Sequence, residues 1–154
     1  MSSAAERLAA LGLTLPPVTA PVAAYVPAVR TGSYVYVSGQ LPVVDGKLPA
    51  TGKVGDAVSA QDAAGLARTC ALNALAAAAE AAGGLDAIVR IVKVLGFVAS
   101  APGFTGQPQV VNGASELLIE VLGEAGRHAR SAVGVAELPL DAPVEVELIA
   151  EVRA

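Results

Sequence analysis

The chain has 154 residues and 54% hydrophobic content, the size of one compact domain with a core of its own. Two Phe, three Tyr and no Trp leave Val, Leu, Ile and Ala to build that core; a net charge of -4, with ten scattered Lys and Arg, disfavours nucleic acid as a partner. Apolar runs are broken well short of the ~18 residues a membrane span requires, so no membrane partner is expected, and the single Cys70 allows no internal disulfide, which makes a reducing cytoplasm the expected compartment.

Residues 1–24 read as an arm: a short helical pattern from Ala4 to Leu11, then an extended course forced by the prolines of "LGLTLPPVTAPVAAYVP". Residues 25–154 read as a single domain. In "SYVYVSGQLPV" (33–43), Tyr34, Tyr36 and Ser38 alternate with Val35 and Val37, the pattern of a strand with two different faces, and Gly39 breaks it. The turn-rich "DGKLPATGKVGD" offers Asp45-Gly46 as a hairpin turn and holds at most a short edge strand. Ser59 is placed to cap a helix, with Asp62 three residues on and Val58 as its staple, and that helix runs to Gly83-Gly84. "AIVRIVKVLGFVAS" (87–100) is apolar on both faces, as a central, doubly covered strand would be. A second helix opens near Pro108, with Val110, Ala114, Leu117, Leu118 and Val121 at helical spacing toward Gly123. Two strands close the chain, giving an α+β order of ββαβαββ.

Two helices cover only one face of such a sheet. Tyr34, Tyr36 and Ile149 belong to the other, which is covered by a second copy of the chain or stands half-solvated.

The residues that carry chemistry lie near the end. In "HARSAVGVAEL", His128, Arg130, Ala132, Gly134 and Ala136 share a face, so Arg130 rises above a floor of small side chains, with room to grip a carboxylate through two parallel hydrogen bonds. In the last strand Val144, Val146, Leu148, Ala150 and Val152 point one way; Glu145 and Glu147 point the other and are the expected neighbours of Arg130. A structural Arg–Glu pair is the alternative. Cys70 reads as a small core residue, and one histidine without a Cys cluster offers no metal site. Ser38-Gly39 and Ser131 lack the setting of a nucleophile elbow, and no glycine pattern matches a phosphate or dinucleotide loop.

On three segments, "VSGQLP" (37–42), "GFVAS" (96–100) and above all "ARSAVGVAELPLDAPVEVELIA" (129–150), the chain resembles the RidA/YjgF/YER057c superfamily of enamine/imine deaminases. The resemblance implies a chorismate-mutase-like fold, a mixed sheet with two helices on one side, assembled as a homotrimer with clefts between subunits. It implies that Arg130 binds the substrate carboxylate, that Glu145 handles water, and that Tyr25, Ser38, Gly39 and Asn112 line the pocket. Ala132 stands where deaminases often carry Cys, and Gly134 where an acidic residue is frequent, the marks of a divergent subgroup. The reaction implied is hydrolysis of a 2-imino acid, or its enamine tautomer, to a 2-keto acid and ammonia, without a cofactor. Two other functions stand beside it: a non-catalytic module that binds small carboxylates, and an endoribonuclease, which the acidic composition disfavours.

Overall fold

The computed structural model describes residues 1–154. Its elements in chain order are α1 (Ala4–Ala10), β1 (Ala28–Thr31), β2 (Tyr34–Gln40), α2 (Ala60–Ala82), β3 (Ile88–Ala99), α3 (Gln107–Leu122), β4 (Ala129–Val135) and β5 (Val144–Val152). The five strands form one mixed sheet in the order β1-β2-β5-β3-β4, antiparallel except for the parallel β3–β4 pair, which α3 connects.

The expected ββαβαββ order is present, with one strand misplaced. No strand forms in residues 45–56. Asp45 and Gly46, both at positive φ, make a turn closed only by an isolated bridge between Val44 and Lys47. The first strand instead precedes "SYVYVSG": Thr31 pairs with Tyr34 across a tight Gly32-Ser33 loop, with Gly32 at φ 57°.

Helix α2 begins where the capping pattern places it, the Ser59 hydroxyl accepting a hydrogen bond from the Asp62 amide at 3.0 Å, and ends on left-handed Gly83. Its buried face is almost entirely small, including Ala63, Ala67, Cys70, Ala71 and Ala74, so it seats closely on the sheet and on α3. At the tightest point a Cβ on Gly113 of α3 would overlap the Ala64 carbonyl oxygen of α2. Both helices lie on one face of the sheet, over Val35, Val37, Ile91, Val94, Val98, Val144, Val146 and Leu148, which are buried. Helix α1 adds Ala4 and Leu8 to this core, and Arg7 Nε donates to the Val121 carbonyl at 2.6 Å near the end of α3. No helix is long and apolar enough to cross a membrane.

The opposite face of the sheet is bare in the single chain. Val29, Tyr34, Tyr36 and Val133 are exposed and Leu95, Phe97 and Ile149 are partly exposed, so an apolar surface runs across all five strands. A groove of about 320 Å³ is cut into it by Val29, Tyr36, Ser38, Lys93, Leu95 and Glu147.

Candidate functional site: two half-sites on opposite faces of the sheet

Arg130 sits on the edge strand β4, opposite Val94 of β3. Val94 faces the helices, and so does Arg130: its Nη1 donates to Asn112 Oδ1 at 2.7 Å and to Ser115 Oγ at 3.2 Å, and its Nη2 to the Pro108 carbonyl at 3.4 Å. All three acceptors are on α3. Arg130 forms no salt bridge; the ion pairs of the chain are Lys53–Glu137, Arg68–Glu120 and Arg127–Glu124. These bonds use both Nη1 hydrogens and one on Nη2. Nε–H has no protein acceptor, and with Nη2 it forms the edge of the guanidinium that a carboxylate can approach side-on. Ala132 follows on the same face opposite Gly96, packed against the core.

Glu145 lies elsewhere. It pairs with Phe97 on the bare face, while its neighbours Val144 and Val146 are buried under the helices. The expected contact of Glu145 and Glu147 with Arg130 is therefore absent within the chain. Arg130 shares the valine-bearing face of β5, and the glutamates point through the other side, with β3 and β5 ordered between β4 and β2. The structural Arg–Glu pair within one chain is ruled out by the same geometry.

Around Glu145 a second group assembles. A Cβ on Gly39 would lie 2.8 Å from Glu145 Cδ and Oε2, so the carboxyl rests against the glycine backbone at the irregularity between Val37 and Gln40 of β2. Ser38 beside it donates its hydroxyl to the Val26 carbonyl at 2.7 Å, and this ties down the segment carrying the exposed Tyr25. Burial, and secondarily the charge of Glu147, hold the Glu145 carboxyl above the usual carboxylate range. A carboxyl so placed can hold or release a proton nearer neutral pH than an ordinary glutamate.

Of the seven residues singled out in the sequence, Arg130 and Asn112 are thus in direct contact, with Ala132 on the same face. Ser38, Gly39 and Glu145 meet at the β2–β5 seam; Tyr25 is exposed and linked to them only by the bond from Ser38 to the carbonyl of the next residue, Val26. Sequence reasoning put His128 on the Arg130 face without a role, and missed Ser115 and its contact with His128. Ser115 Oγ is 2.9 Å from His128 Nε2, and His128 Nδ1 is 2.6 Å from the Gly126 carbonyl. Their signal was spacing: Ser115 follows Asn112 by three on one helix, and His128, just before β4 begins, precedes Arg130 by two.

A mixed β1-β2-β5-β3-β4 sheet with two helices on one face, and a carboxylate-ready arginine on its edge strand, defines an α+β protein of the chorismate-mutase-like class. The family model described as "YjgF/chorismate_mutase-like, putative endoribonuclease" matches residues 5–152, and the chain belongs to that family. It is 45% identical over 150 residues to Protein TCP17 of Trypanosoma cruzi, covering 97% of this chain and 94% of that protein. The crystal structure of Atu1372 from Agrobacterium tumefaciens matches with a TM-score of 0.91 at 48% identity, over 99% of this chain and 94% of that one. Escherichia coli TdcF with bound serine matches with a TM-score of 0.63 at 31% identity, over 88% and 92% of the two chains.

Proposed function

We propose that this protein hydrolyses small 2-imino acids, or their enamine tautomers, to 2-keto acids and ammonia, at sites built between copies of the chain in a homotrimer. The observation that carries the reading is the state of Arg130: a guanidinium fixed by three neutral acceptors, with no carboxylate partner and no protein acceptor on Nε. An arginine kept only for structure would be expected to meet an acid; this one is positioned and left unpaired. Serine, the ligand in the TdcF structure, is a small molecule whose carboxylate is the kind of group the Nε–Nη2 edge of Arg130 would take.

The mechanism asks little of the protein, because an imine carbon is already electrophilic. Arg130 holds the substrate carboxylate, which fixes the carbon in place. Glu145, with its raised proton affinity, takes a proton from the attacking water and returns it to the departing nitrogen. Since one chain sets these residues on opposite faces of its sheet, the site takes Arg130 from one copy and Glu145 from the next. The bare face supplies the contact surface that such an assembly needs.

The test is release of ammonia and keto acid from 2-iminopropanoate generated in situ by an amino-acid oxidase. Wild type should exceed the uncatalysed decay. Arg130→Ala, losing a charge-assisted contact of ~2–4 kcal/mol, should slow turnover roughly 30- to 1,000-fold. Arg130→Lys, which keeps the charge without the planar fork, should fall severely as well. No acceleration across several imino acids would remove the deaminase reading and leave the carboxylate-binding module.

A further inference from the structure

Anchoring Arg130 requires of Ser115 only an acceptor, which leaves the hydrogen bond between Ser115 and His128 without a role in deamination. The geometry is directional. The Gly126 carbonyl can only accept, so the hydrogen of His128 is on Nδ1, and in the neutral ring Nε2 is a bare acceptor facing the Ser115 hydroxyl at 2.9 Å. Burial, opposed by the Gly126 bond and aided by the charge of Arg130, lowers the proton affinity of His128 below that of an ordinary histidine, which favours the neutral ring.

Ser115 Oγ gives its hydrogen to His128 and accepts one from Arg130 Nη1 at 3.2 Å, which leaves one lone pair free. The adjacent guanidinium also favours negative charge on that oxygen. The hydroxyl is accessible: Ser115, Ile119, Arg127, His128 and Arg130 line an open pocket of about 220 Å³, separate from the groove on the bare face. A hydroxyl, a base within hydrogen-bond reach, a group orienting that base and cationic donors at the same pocket are the parts required for acyl transfer.

We propose that Ser115 is a nucleophile activated by His128 and that this pocket hydrolyses esters of short carboxylic acids. Ser115 Oγ attacks the ester carbonyl as its proton passes to His128 Nε2, and Arg127 and Arg130 face the oxyanion. The C–O bond to the alcohol breaks, the alcohol leaves with the proton from Nε2, and the acyl group stays on Ser115. Water then attacks the acyl carbon, again giving its proton to His128. The Oγ–acyl bond breaks, the carboxylic acid departs and Ser115 recovers its hydrogen. The sum is ester plus water to acid plus alcohol. Ile119 is the one apolar residue in the lining, so little of a long acyl chain would be buried there and a short one is favoured.

The experiment treats the intact protein at pH 7.5 with a fluorophosphonate serine probe, locates the label by peptide mass, and follows p-nitrophenyl acetate hydrolysis in parallel. Stoichiometric label on Ser115 is expected, with ester hydrolysis at least tenfold above the buffer rate, falling to the buffer rate in Ser115→Ala and to within about twofold of it in His128→Gln. Label mapping on wild type does not depend on how either variant folds. Absence of label from Ser115, or ester hydrolysis unchanged in Ser115→Ala or in His128→Gln, overturns the proposal. Ammonia release from imines is read separately, so failure here and failure of the deaminase are distinguishable.

Discussion

At the scale of single residues, Gly39 and Glu145 separate positioning from stability. The glycine has no side chain because the Glu145 carboxyl occupies the space where a Cβ would stand. Gly39→Ala would push aside the end of a flexible side chain and no backbone, so the fold should melt within a few degrees of wild type. Imine hydrolysis should fall at least tenfold, because the carboxylate would stand about an ångström out of place. A variant that keeps full activity would show that Glu145 has no fixed task. Glu145 also makes a prediction about pH. Its folded-state proton affinity is raised, so the folded protein binds that proton more tightly than the unfolded chain. Stability from this group is full in acid and is lost as pH rises from the ordinary carboxylate value, about 4.3, through the raised folded value. Glu145→Gln should therefore melt higher than wild type at pH 7, with the difference closing below about pH 4, while hydrolysis drops. Thermal melts across pH read the first effect and ammonia release the second.

At the scale of elements, the seat between α2 and α3 is the tightest fit in the fold, and two glycines test it as a pair. Gly113→Ala drives a methyl into the Ala64 carbonyl, so the helices must part, at a cost of about 1–3 kcal/mol or more and several degrees of melting temperature. Gly65→Ala, on α2 with open space around it, should be neutral or stabilising by up to about 1 kcal/mol. Equal effects in calorimetry would contradict this account of the packing. Helix positions were legible in the sequence because their signals are local: Ser59 at one end and Gly83 at the other bound α2, and Pro108 marks the first turn of α3. Strand faces were less so. The two-sided apolar character read for β3 holds, with Val94 and Val98 under the helices and Leu95 and Phe97 on the bare face, but its register against β5 shifts twice, so Ile88, Ile91 and Val94 face the helices at a spacing of three that an alternation of two does not show. β1 escaped because "AVRT" is too short to carry a period, and its identity comes from pairing with β2. Arg130 and Glu145 could be singled out by residue type and face, and Asn112 by the family resemblance. Which of them meet could not, since a residue's face on β4 depends on its parallel register with β3 and so on long-range pairing.

At the scale of the whole molecule, the two half-sites pose a single question. Each is built with care, Arg130 by α3 and Glu145 by the β2–β5 seam, and the sheet stands between them. The bare face with Tyr34, Tyr36, Leu95 and Ile149 is the surface through which a second copy would bring its half alongside. The measurement that tests this most directly is subunit complementation, with light scattering first establishing three chains per particle. Arg130→Ala and Glu145→Gln chains, each inactive alone in the imine assay, are co-expressed and purified together. In randomly mixed trimers about a quarter of the sites take an intact Arg130 from one chain and an intact Glu145 from its neighbour, so activity should return to about a quarter of wild type. A mixture of confirmed mixed trimers that stays as inactive as its parents would contradict a site shared between copies.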